Sequence, residues 1–449
     1  MFYQIIQIKF CRKPRKSSET LFHDINIENL KNIGHLTFKR ALMHELVLKG
    51  KFFVEKHVIN GYIGVDNGKI TKFSKKPLKG EKIIETKAHE VIMPGMIDVH
   101  VHLRDFNQNH KETIKSGTMA ALHGGITTVF DMPNTDPPVM SKEIFEKRAE
   151  LFKRKSYTDY ALSFLIAGNC SEVKSGKADF YKIFMGASTG GIYSKNFEED
   201  YKCANKRVSV HAEDYELIQK FPERPNIVEV KAIEKALNIS KKLKKPLHIC
   251  HVSTKEGLKR ILEESLPWIS FEVTPHHLFL NKKDFKKNPL LKVYPPLRSK
   301  EDVIYLWQNF EKIPIVASDH APHTLDEKEE GAAGLPGLET ELALLLTAYN
   351  KGMVSFWGII EKTSLNPAKI FRIKNKGFEV GKDADLIVVN LKEEWKVQPE
   401  EFYTKAEWSP FEGWKLKGKV KITLLRGKVV MEDDEIVGKP RGERIVIES

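Results

Sequence analysis

From Leu46 onward, apolar and polar positions alternate in short runs. LVLKGKFFV, GYIGVDNGKITKFS and KIIETKAHEVIMPG are β-type stretches broken by Asn-Gly and Lys-Gly turns. The same texture returns at the far end in ADLIVVNL and GWKLKGKVKITLLRGKVVMEDDEIVG. Both flanks predict antiparallel strands, so residues 43–92 and 376–449 are expected to build one small β-sandwich domain from both ends of the chain. The middle, 93–375, has a different rhythm in which an apolar β run is followed by a helical stretch. GGITTVFDMP precedes SKEIFEKRAELFKRK, RVSVHAED precedes IVEVKAIEKALNISKKLK, KPLHICHVS precedes KEGLKRILEES, and IPIVASDHAPH precedes LETELALLLTAY. Such repetition predicts a parallel sheet, because parallel strands need crossovers. Seven or eight units over about 280 residues suit an α/β fold of the (β/α)8 TIM-barrel type. A doubly wound open sheet is the alternative, but it would carry a Gly-rich phosphate loop after its first strand, and none follows here. Residues 1–42 stand apart, with eight Lys/Arg against three Asp/Glu and weak periodicity. They read as a poorly ordered extension or as the product of an upstream start, with Met43 as the natural beginning.

Composition narrows the class. The 449 residues are 41% hydrophobic and 30% charged, which allows a substantial core and excludes wholesale disorder. No apolar run approaches the roughly 18–20 residues that cross a bilayer. At the N-terminus the apolar stretch precedes the basic cluster, the reverse of a secretory signal. Cys11, Cys170, Cys203 and Cys250 are scattered without a CxxC, so neither a disulfide framework nor a thiolate zinc site is expected, and a cytoplasmic setting fits. The net charge of +13 comes from lysines spread along the whole chain without a nucleic-acid motif. It is read as a solvated surface whose field favours an anionic small molecule, with neither nucleic acid nor membrane as partner.

The informative histidines sit where the predicted barrel strands end. His100 and His102 lie in IDVHVHLRD, and residues two apart share a face of a strand. His211 in VSVHAED, His251 in LHICHVS and Asp319 in IVASDHAPH each follow a different apolar run. Strand C-termini converge on one face of a barrel, so four imidazoles and an acid would meet there. Imidazole and carboxylate without thiolate suit Zn²⁺, with Mn²⁺, Co²⁺ or Fe²⁺ also open. Five ligands exceed the three of a single catalytic zinc, so two ions are expected. Lys182, in DFYKIFMG, ends another strand among apolar neighbours. A buried lysine sheds its proton readily, and a neutral amine adds CO₂ to give a carbamate bridge. From spacing alone, an ordinary surface or phosphate-binding lysine is the better reading of Lys182. Arg104, two beyond His102, would face the same side and suits bidentate carboxylate recognition.

VIMPGMIDVHVHLRD, KETIKSGTMAALHGGITTVFDMPNTDPPV, YKIFMGASTGG, VHAED, LHICHVST, FEVTPHHL, PPLRS and ASDHAPHTLDEKEEGAAGLPGLET run in order over about residues 91–340. Together they resemble the dihydroorotases of the amidohydrolase superfamily, and GKDADLIVV resembles that superfamily's returning sheet. The resemblance implies a binuclear metallohydrolase interconverting L-dihydroorotate and N-carbamoyl-L-aspartate in de novo pyrimidine synthesis. It assigns His100, His102 and Asp319 to one zinc and His211 and His251 to a second, with carboxylated Lys182 between them. Metal coordination would lower the pKa of water from about 15.7 towards about 7, and Asp319 would carry its proton to the leaving nitrogen. Arg104, Asn134 and His323 would hold the substrate carboxylate, while backbone groups of Ala333 and Gly334 meet the ring. DEKEEGAAGLPG, residues 326–337, reads as a mobile loop beside the site. The chain departs from the family in Asp105, Phe106 and Asn107, where Glu-Pro-Gly is usual, and in Tyr294, where an Asn contacts substrate. Tyr294 still offers a hydrogen bond. His276 and His277 are read as structural or as supporting the ligands from behind. Allantoinases and hydantoinases/dihydropyrimidinases share the scaffold, but their substrates lack the carboxylate that Arg104 would hold. A catalytically inactive scaffold homologue is disfavoured by the intact ligand set. The family pattern suggests a homodimer or association with other pyrimidine-pathway enzymes.

Overall fold

The computed structural model describes residues 43–448 other than 55, 176, 188–190 and 265. The expectations for residues 1–42 and for Cys11 lie outside that range. Eight parallel strands run in sequence order: β6 (Met96–Val101), β7 (Ile126–Asp131), β8 (Asp159–Leu165), β9 (Phe180–Phe184), β10 (Val208–His211), β11 (Leu247–Ile249), β12 (Ile269–Val273) and β13 (Ile315–Val316). A parallel bridge between Val101 and His320, with His102 N donating to His320 O at 2.8 Å, brings the last strand round to the first. Strands β6 to β11 are buried along their whole length, as expected of parallel strands covered by helices on one side and filled on the other. Ile97, Val99, Phe130, Phe180, Ile315 and Ala317 pack with Phe371 and Ile373 into an apolar floor. Side chains two apart on a strand share a face, so Phe180 in that floor sets Lys182 above it and Phe184 at the mouth.

The sheet domain holds β1 (His44–Val54), β2 (His57–Asp66), β3 (Lys69–Ser74), β4 (Gly80–Glu85) and β5 (Glu90–Pro94) before the barrel. β14 (Leu386–Lys396), β15 (Lys415–Leu425), β16 (Lys428–Glu432) and β17 (Glu435–Ile436) follow it. The two sets join where β5 pairs with β14, Leu386 opposite Pro94. Alternation then decides which core each side chain enters. Ile92, Leu386 and Val388 join Leu46, Leu48, Phe52 and Ile63 in the sheet's own cluster, while Val91, Met93, Ile387 and Val389 turn into the barrel's. The wholly antiparallel expectation is corrected at β1, which pairs parallel with both β4 and β5. Residues 443–445 return to the barrel, where Ile445 N donates to Tyr160 O at 2.9 Å.

A second correction concerns the cysteines. Cys170 and Cys203 form a disulfide, with Cα atoms 5.5 Å apart. They lie in the helices Cys170–Ser175 and Phe197–Cys203, which follow the paired strands β8 and β9, so residues 33 apart in sequence meet at the surface of one βαβ unit. Among the described residues no helix is long and apolar enough to cross a membrane.

Candidate active site

Six strand ends deliver the expected groups to one face. His100 is the fifth residue of β6, and His102 follows just beyond it. His100 Nδ1 donates to Glu272 Oε1 at 2.5 Å and His102 Nδ1 to Asn134 Oδ1 at 2.7 Å, so both rings turn an Nε2 lone pair inward. Those two atoms stand 3.2 and 3.1 Å from the same Asp319 oxygen. On the opposite wall His211 donates Nε2–H to Glu213 at 3.0 Å, leaving its Nδ1 3.0 Å from His251 Nε2. Lys182 Nζ lies at the barrel centre with no exposed surface, 3.4 Å from His100 Nε2 and 3.0 Å from Cys250 Sγ. Three of the residues that shape the site hold left-handed backbone without being glycine: Arg104 at φ 44°, His251 at 39° and Asp319 at 47°. Strain of this kind costs about 1–3 kcal/mol each and persists where the surroundings enforce it.

Burial sets the protonation states. Desolvation, helped by Lys182, pulls His100 down to about 4, and His102 and His251 fall well below the usual imidazole value for the same leading reason. Desolvation pushes the Asp319 carboxyl up, against the pull of His100 and Lys182. The His100, His102 and His251 rings are therefore neutral lone-pair donors at physiological pH. His100, His102 and Asp319 offer atoms all within 4.8 Å of one another. A convergent set of neutral nitrogens and a carboxylate, each ring fixed from behind by an acceptor, fits a divalent cation. The buried Nδ1 of His251 has no hydrogen-bond partner.

One cavity is lined by His100, His102, Arg104, Asn134, His211, His251, Tyr294, Asp319, Ala333 and Gly334, with Phe184, Val293 and Ala321 between them. Arg104 is 1% exposed. Its Nε donates to Pro322 O at 3.3 Å and its Nη2 lies 3.4 Å from His323 Nε2. Among the described residues no carboxylate stands within 4.0 Å of its guanidinium. Desolvation draws it down only to about 10, so a buried positive charge faces the cavity. Gly334 has φ 149°, and a Cβ there would sit 2.5 Å from Ala321 O, so glycine is required. Asp105 does not enter the cavity; its carboxylate accepts from Lys155 Nζ at 2.9 Å and Ile114 N at 3.2 Å. His277 bridges Thr274 Oγ1 at 2.8 Å and Pro295 O at 3.0 Å, which ties down the segment carrying Tyr294. His276 is buried beside it with Nε2 unpartnered. The expected loop at 326–337 begins within the short helix Leu325–Glu329.

Several supporting residues escaped the sequence reading. Glu272 receives His100 and His248 together, and these histidines hold its carboxyl low against the upward push of burial. Its signal was a lone acid inside the apolar strand ISFEV. Glu213 bonds Arg224, whose guanidinium stacks 3.5 Å from the Tyr294 ring centroid and donates to Ala187 O at 2.7 Å. One chain of contacts therefore links His211 to Tyr294.

A nearly closed parallel barrel with imidazoles and an acid at its strand ends defines a metallohydrolase, and the chain belongs to the amidohydrolase family, which it matches over residues 91–430. The relatives narrow this further. The chain is 67% identical over 404 residues to a dihydroorotase of Pyrococcus horikoshii, covering 90% of this chain and 96% of that protein. It is 60% identical over 406 residues to a dihydroorotase of Thermococcus kodakarensis, covering 90% and 99%. Among solved structures, L-hydantoinase from Arthrobacter aurescens superposes with a TM-score of 0.85 at 28% identity, covering 90% of this chain and all of that one.

Proposed function

We infer that the chain catalyses the reversible hydrolysis of the cyclic amide of L-dihydroorotate to N-carbamoyl-L-aspartate, a step of pyrimidine synthesis. The observation that carries this reading is Arg104: a buried guanidinium with no carboxylate within 4.0 Å among the described residues, opening on the same cavity as the His/Asp cluster. Burying a guanidinium costs several kcal/mol in effective terms; Asp319 and other carboxylates offset part of that from a distance, and a substrate carboxylate in direct contact would offset more. Hydantoins and allantoin bring none, which separates this reading from the one the structural neighbours alone would favour.

His100, His102 and Asp319 would hold one zinc ion, and His211 and His251 a second, with Lys182 bridging as its carbamate. Lys182 is supported in that role by complete burial and by its 3.4 Å approach to His100. When bound, the ions supply Lewis acidity, which makes water a nucleophile at neutral pH and polarises the ring carbonyl. The chain's own groups do the rest. Arg104, with Asn134 and His323, receives the substrate carboxylate and so fixes the ring against the metal face. Backbone groups of Ala333 and Gly334 and the hydroxyl of Tyr294 bound the ring's other edge. Asp319, its carboxyl raised by burial, takes the proton of the attacking water and delivers it to the leaving nitrogen. The test is turnover of dihydroorotate against allantoin, hydantoin and dihydrouracil on purified protein with metal content measured alongside. Preference for a substrate without the carboxylate would overturn the reading.

A further inference from the structure

We propose that Trp408 and Lys328 are positioning residues for the substrate: together they hold segment 320–337 in the shape that presents His323, Ala333 and Gly334 to the ring and its carboxylate. This rests on dihydroorotate being the substrate. Residues 397–414 leave the sheet domain between β14 and β15 and pack against the segments that carry Tyr294, His323 and Gly334. Val397, Ala406, Trp408 and Phe411 enter an apolar cluster with Val293 and Leu335, the chain neighbours of Tyr294 and Gly334. Trp408 is 4% exposed, and its Nε1 donates to His323 O at 2.9 Å. Above its ring, 5.4 Å from the centroid, sits the ammonium of Lys328, itself 2% exposed. That ammonium donates to Lys292 O at 2.8 Å, Ala332 O at 2.7 Å and Gly334 O at 2.9 Å. Gly334 N in turn donates to Lys292 O at 3.1 Å. At the other end of the segment, Glu112 accepts from both Thr404 of the excursion and His320, which follows Asp319.

A buried amine whose hydrogen bonds all go to carbonyls is a costly way to hold a loop, and burial, with Lys292 nearby, draws its pKa down to about 7. It does what an apolar side chain cannot, because three N–H groups fix three backbone carbonyls in one arrangement. A segment already in its bound shape pays no ordering cost when substrate arrives. If its grip is removed, only a fraction of molecules is competent, and apparent affinity falls by that fraction while the bound complex reacts as before.

The test uses the full, metal-loaded chain. W408F keeps the ring and loses the N–H; K328M keeps the stem and loses all three donors. We expect KM for dihydroorotate to rise about tenfold in W408F, the effect of one buried hydrogen bond, and further in K328M. The kcat should stay within about twofold, and metal stoichiometry should be unchanged. A merely structural role would instead shrink the active fraction, lowering kcat at constant KM; that result overturns the proposal, as does a W408F KM equal to wild type. W408F alone decides should K328M not fold. Wild-type protein inert towards dihydroorotate would sink the substrate reading and this inference with it, whereas wild-type turnover with unmoved variant KM values sinks only the inference.

Discussion

Replacing Arg104 with Met isolates the contribution of one charge to substrate choice. The guanidinium has two weak protein partners, Pro322 O at 3.3 Å and His323 Nε2 at 3.4 Å, so most of its bonding capacity is left for a ligand. A bidentate carboxylate adds two charge-assisted hydrogen bonds, each worth about 1.5–3 kcal/mol in net terms. The sum, roughly 3–6 kcal/mol, corresponds to about a 10²–10⁴-fold fall in kcat/KM for dihydroorotate. Met preserves the stem and removes a buried charge, so the protein should unfold at the same or a higher temperature than wild type. Steady-state hydrolysis followed for dihydroorotate and for hydantoin gives the readout. The dihydroorotate rate should collapse while the hydantoin rate, however small, holds. A KM for dihydroorotate within threefold of wild type would refute the assignment and remove the main reason for preferring a carboxylate-bearing ring.

Asp319→Asn should lower kcat by about 10³–10⁴-fold, because the amide cannot shuttle the proton; near-normal turnover in metal-replete protein contradicts that role. Glu272→Gln should weaken metal retention about 10–100-fold, measurable by competition with a chelator, since the carboxylate orients His100 from behind. His123 offers a pH test of stability. Burial alone would lower it, but Asp434 and Glu339 outweigh that and raise it to about 9. With the folded value above the unfolded one of 6.5, its stabilisation is complete below pH 6.5 and lost as pH climbs through about 9. Urea midpoints at pH 6 and pH 10 should therefore differ more in wild type than in H123Q. The Cys170–Cys203 bridge closes a loop of sequence separation 33, which predicts roughly 3.5–4 kcal/mol of stabilisation lost in the double serine variant; an unchanged denaturation midpoint would count against it.

What the sequence disclosed was set by how local the signal was. Strand–helix rhythm and histidines directly after apolar runs are visible in short windows, so the barrel and the cluster at His100, His102, His211, His251 and Asp319 could be read directly. The direction of β1 could not, because period-two alternation is the same for parallel and antiparallel neighbours. Glu272 and Arg224 act through partners distant along the chain, and Glu272 lies 172 residues from His100. The cysteine pair depends on two helices coming side by side, which their spacing does not encode. Trp408 lies within residues 376–449, read as returning sheet, and nothing near it announces that residues 397–414 leave that sheet to pack against the segments carrying Tyr294, His323 and Gly334.

The pairing of β5 with β14 also bears on how the chain is made. Roughly 290 residues separate Pro94 from Leu386. At ribosomal rates of about 5–20 residues per second, one edge of the early strands waits some 15–60 s for its neighbour to be synthesised. Throughout that interval Val91, Ile92 and Met93 present an unsealed template to any other nascent copy. Chaperone dependence and yield on overexpression should therefore track mutations at this seam more closely than mutations around the metal ligands.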